Sequence, residues 1–146
     1  MDTSKTYIKM CEKAEEIQLL RREEVRHFNT GKWKDGDIYA HITGGIGMAH
    51  PSYLDAWASE PEYLHHPHEN IWLPRQDQLQ EMIHTTDWIS VLERFTLFTF
   101  GLKRTSPRIY YGMGIPHNVF SMEQLWLAFV MQEKWGKIWD GENWIL

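Results

Sequence analysis

Apolar residues recur at helical spacing through the first part of the chain. Tyr7, Met10, Cys11, Ala14, Ile17, Leu20, Val25 and Phe28 follow one another mostly at three- and four-residue steps, the period of a single helix face. Glu12, Lys13, Glu15, Glu16, Arg21, Arg22, Glu23 and Arg26 fill other positions. The pattern predicts one long amphipathic helix over residues 5–28, with its charges on a solvated face. Gly31 stands where such a helix stops.

The pattern then changes. Lys34-Asp35-Gly36-Asp37 is a turn signal, and residues 38–42 read as a short strand. Gly44, Gly45 and Gly47 follow as turn or mobile backbone. Residues 48–70 are punctuated by Pro51, Pro61 and Pro67 and show only a short helical pattern around 52–58. Long irregular stretches of this kind tend to be functional or mobile.

Regular spacing returns at residues 71–73, a strand, with Pro74 suited to open the helix that carries Leu79, Met82 and Ile83. Asp87 is placed to cap the next helix, whose stripe is Trp88, Val91, Leu92, Phe95 and Phe98, ending near Gly101. Residues 96–100 also alternate as a strand would, but the longer helical period is preferred. Lys103 to Pro107 reads as a basic loop, and residues 108–111 as a short strand.

The sharpest local signal is Ser121 with Gln124, the spacing of a capping box, flanked by Phe120 and Leu125 as a hydrophobic staple. Residues 125–131 are apolar nearly all round, which predicts a buried helix over 121–135 that ends before Gly136. Residues 137–146 read as a closing hairpin around Asp140-Gly141-Glu142-Asn143. Together these elements predict a single α+β domain over residues 1–146, with helices packed on a small, mostly antiparallel sheet.

Size and composition agree with one domain. A chain of 146 residues buries about 68–70% of the surface its unfolded form exposes, enough for one core without metal or disulfide staples. A net charge of −5 argues against nucleic-acid binding driven by phosphate contacts. No run is apolar enough to span a bilayer, and the first residues lack the basic start and apolar stretch of a signal peptide. Cys11 has no second cysteine to pair with. These features point to a soluble cytoplasmic protein.

Candidate chemistry centres on histidine. His41 and His50 with one of His65, His66 or His68 would supply three imidazoles, the number a catalytic zinc needs beside an open position. That set (His41, His50, His65, His68) would make a metal-dependent enzyme, hydrolase-like in class. The spacing matches neither His-Glu-x-x-His nor Cys-x-x-Cys. The plainer reading is a polar loop beside Pro67, with His41 on a strand face and no cofactor.

Other constellations are thinner. The glycines lack the Gly-Lys-Ser/Thr end of a phosphate loop. The carboxylate pairs Asp35/Asp37, Glu60/Glu62 and Asp140/Glu142 fall in turn-like segments, where Asp has a local hydrogen-bonding role. Cys11 lies on the helix stripe as a small core residue. Eight tryptophans read first as core and interface. Exposed, they would stack on sugars or, with Arg75, Lys103, Arg104 and Arg108, on single-stranded nucleic acid.

Four segments carry a resemblance: YIKMCEKAEEIQ (7–18), IWLPRQDQLQEM (71–82), SMEQLWLAFVM (121–131) and WDGENW (139–144). The chain resembles small uncharacterised proteins of bacterial phage and prophage regions over about half its length. The resemblance implies no activity, cofactor or catalytic residue, and residues 38–70 lie outside it. With no catalytic constellation and many large aromatics, the sequence points to a non-enzymatic interaction or accessory protein. It would work by self-association or through a protein partner. The plainer reading of the histidines expects no stoichiometric metal in the untagged protein and a melting temperature unmoved by zinc. Bound metal, or a melting temperature that zinc raises, would establish the metal centre instead.

Overall fold

The computed structural model describes residues 1–27, 37–41, 44–48, 70–83, 87–104 and 121–146, with side chains at all of these except 22–27 and 100–104. The first predicted helix is two. Helix α1 spans Lys5–Lys13 and α2 spans Glu15–His27, with Ala14 between them at φ −84 and ψ 67. Alanine is the best helix former, so the break is not local in origin. It leaves the Cys11 carbonyl to accept from Ala14 N–H (3.2 Å) and from Gln18 Nε2 (3.1 Å). The bend also changes which residues face inward. Ile17, Gln18 and Arg21 are buried, whereas Leu20, predicted for the stripe, is exposed.

Strands β1 (Ile38–His41), β2 (Ile46–Met48) and β3 (Asn70–Leu73) form an antiparallel sheet in the order β2-β1-β3. Tyr39 lies opposite Gly47 on one side and Trp72 on the other. The glycines read as turn or mobile backbone divide: Gly44 is in the turn at φ +99, while Gly47 sits inside β2. A Cβ at Gly47 would come 2.4 Å from Cζ of Tyr39, so the missing side chain is what lets the tyrosine ring cross the strand.

The outer edge of β3 is closed by one side chain. Gln18 Oε1 accepts from Trp72 N–H at 3.0 Å, and Gln18 Nε2 donates to Trp72 O at 3.0 Å. The amide thus makes the two bonds that a further strand would make. Unpaired strand edges invite association with other chains, and here α2 blocks that at its centre.

Helix α3 spans Gln76–Glu81 and α4 spans Trp88–Arg104. Pro74 does not open α3; Arg75 is its N-cap, its N–H received by Gln78 Oε1 at 2.9 Å. Pro74 serves instead as an acceptor, its carbonyl bonded to the Tyr7 hydroxyl. Residues 96–100 are helical, and α4 runs on to Arg104, so Lys103 and Arg104 lie in its last turn rather than in a loop. Asp87 Oδ1 accepts from Ser90 N–H at the predicted cap (3.2 Å).

Helix α5 spans Met122–Trp135 and is the centre of the core. Residues 126–131 are all buried. Helices α1, α3 and α4 pack around it, and α1 in turn covers β3. Phe95 of α4 stacks on Trp126 at 4.3 Å and meets Phe129 edge-on at 5.3 Å. The Ser121 hydroxyl caps α5 by accepting from Gln124 N–H at 3.1 Å. Gly136 ends it in the left-handed conformation, φ 67.

Strands β4 (Ile138–Trp139) and β5 (Trp144–Ile145) form the closing hairpin. Asp140 Oδ1 accepts from the N–H groups of Glu142 (2.8 Å) and Asn143 (2.7 Å), which sets the turn. Gly141 supplies the positive φ of 106. Trp139 and Trp144 pack inward at 5.1 Å, and Lys9–Glu142 and Lys137–Glu16 ion pairs tie the hairpin to α1 and α2. The described residues form the α+β arrangement expected.

The two hairpin tryptophans differ in one respect. Trp144 Nε1 donates to the Met10 carbonyl at 3.0 Å, whereas Trp139 Nε1 is buried without an acceptor. Phe substitution removes similar volume from each, but only at Trp144 does it orphan a buried carbonyl, at a cost of about 1–3 kcal/mol. Trp144→Phe should therefore lower the urea midpoint more than Trp139→Phe. Equal losses would mean that the Met10 bond contributes nothing net.

Candidate functional site

Of the histidine set, His41 alone lies among the described residues. His41 ends β1, half-buried, with its N–H on the Gly45 carbonyl at 2.7 Å. His50, His65 and His68 lie outside the described residues, as does His66. Among the described residues no three His, Cys, Asp or Glu side chains are grouped to hold a metal ion.

Among the described residues, buried and half-buried polar groups converge at two joints. The first joins α2, the start of β1 and α3. Arg21, expected on the solvated face, is 5% exposed and pairs with Asp37, which is fully buried. Asp37 Oδ2 takes the guanidinium Nη2, and Oδ1 accepts from Gln78 Nε2 at 2.7 Å. The guanidinium also lies over the Trp72 ring, 5.1 Å from its centroid. Asp37, read as part of a turn, is thus an anchor. A charge taken out of water needs a paired, hydrogen-bonded counter-charge, and this one has both.

The second joint gathers the N-termini of α1 and α5. Asp2 Oδ1 accepts from Ser4 N–H at 2.7 Å; Oδ2 accepts from the Ser121 hydroxyl and from Gln124 Nε2, each at 2.6 Å. Ser4 Oγ caps α1 by accepting from Tyr7 N–H, and it also receives Gln124 Nε2 at 3.2 Å. Gln124 therefore departs from the predicted capping box: its side chain reaches Asp2 and Ser4 instead of turning back on Ser121. Burial pushes the Asp2 carboxyl up, but the bonds from Ser121, Ser4 and Gln124 outweigh it and leave its pKa below the ordinary 3.8.

The Arg21–Asp37 pair is closed off from solvent, whereas Asp2 at the second joint is only partly buried. Cys11 is fully buried, and burial raises its thiol well above the ordinary range, which disfavours the thiolate nucleophile. Tyr7 is raised likewise by burial. Of the proposed basic patch, Arg75 is paired with Asp77 at 2.9 Å and Trp72 is buried beneath Arg21; Arg108 lies outside the described residues. Trp126, Trp139 and Trp144 are also buried.

On α4 part of the surface that reaches solvent is apolar. The α4 stripe divides: Val91 is buried and Phe95 and Phe98 are half-buried, but Trp88 is 45% exposed, Leu92 55% and Ile89 74%. At about 3.6 residues per turn, Trp88 and Leu92 lie one above the other and Ile89 flanks them. Leu97 is 69% exposed farther along the helix. Arg94 pairs with Glu133 of α5 at 2.9 Å, fixing the opposite flank of α4. The period alone could not reveal this surface, because it does not say how wide a stripe the core covers.

No family model, curated protein or solved structure matches the chain. No helix among the described residues is long and apolar enough to cross a membrane.

Removing one member of the first joint should cost far more than removing both. Asp37→Ala takes the carboxylate away from a guanidinium that stays buried and should destabilise by about 3–5 kcal/mol, whereas Arg21→Met with Asp37→Leu should cost much less. Chemical denaturation of the three variants decides this; equal losses would show the pair to be well hydrated. At the second joint the sign follows from the lowered pKa. The stability supplied by ionised Asp2 is fully present above 3.8 and is lost as pH falls through the lower folded value. Asp2→Asn protein should therefore lose less stability than wild type on acidification from about pH 5 to pH 2.

Proposed function

We propose that this protein is a non-enzymatic interaction protein, of the kind encoded by phage and prophage regions, and that it binds through α4. The observation that carries the reading is the adjacency of Trp88, Ile89 and Leu92 in solvent at the start of a helix whose other side is packed on α5. Single exposed apolar residues are ordinary. Three neighbours bordered by polar Glu93 and Thr96 form a patch, and patches mark association surfaces. The partner such a surface suits is a protein presenting an apolar strip, and the first candidate is a second copy of this chain.

The supporting chemistry is that ionisable groups at the two joints are engaged in holding elements together. Asp2 is held by three donors, Arg21 and Asp37 hold each other, and Gln78 donates to Asp37. Sedimentation velocity over a range of concentrations tests the proposal. Wild type should shift to a larger species as concentration rises, and Ile89→Asp with Leu92→Asp should remain monomeric with an unchanged circular dichroism spectrum. A wild-type monomer at every concentration, together with a measurable turnover, would overturn it.

A further inference from the structure

We draw no further inference here: the strongest candidate beyond the α4 surface, the polar cluster where Asp2 joins the N-termini of α1 and α5, rests on hydrogen bonds made within the cluster itself, and nothing in the structure points to a ligand for it.

Discussion

The arrangement of helices and sheet depends on burying Arg21 against Asp37. The two residues stand 16 positions apart, on α2 and at the entrance to β1. An ion pair in the interior gains little over apolar residues of the same shape, because desolvation cancels most of the attraction. Its force lies in what it forbids. Any placement of β1 that moved Asp37 away from Arg21 would separate two buried opposite charges. Gln78 binds the other carboxylate oxygen, and Trp72 underlies the guanidinium, so the same constraint extends to α3 and β3. Gln18, one turn before Arg21, then fixes β3 by its backbone.

This is also where sequence reading has least purchase. Gln18 and Arg21 are polar, and a periodicity argument assigns polar residues to water; the bend at Ala14 turns them inward and leaves Leu20 outside. Nothing near Ala14 announces that bend, and the group that Gln18 meets beyond it, the Trp72 backbone, is 54 residues away. The strand β2 lacks a local signature for a related reason. Gly47 weakens any local strand signal, and what suits it there is the ring of Tyr39 on the neighbouring strand.

Where the determinants are local, the sequence is explicit. Ser121 caps α5, Gly136 ends it, and Asp140 with Gly141 forms the closing turn, each as the spacing predicts. The capping box shows the boundary between the two regimes within a single motif. Its Ser121 half needs only an amide three residues on and is present. Its Gln124 half could have been satisfied locally, but Asp2, 122 residues away, offers a charged acceptor. Bonds to a charged group are stronger than those to a neutral one, so the distant partner takes the side chain. Of the four candidate histidines, only His41 falls among the described residues.

The division of labour between polar and apolar side chains inverts the usual expectation for a protein with a site. Among the described residues, several groups of the kind that serve catalysis (a carboxylate, a guanidinium, a thiol, a phenol) are enclosed by the packing: Asp37, Arg21, Cys11 and Tyr7 are all buried. On α4 the reverse holds, with tryptophan, isoleucine and leucine turned outward. A helix with Phe95 and Phe98 packed on α5 already has the apolar face it needs to fold. Extending apolar character onto Trp88, Ile89 and Leu92 adds little to that packing and carries a solubility cost in the isolated chain. A second surface to bury those residues against would give the extension a use. This ties the function we propose to the packing of α4, because the residues available for binding are those that the core leaves uncovered.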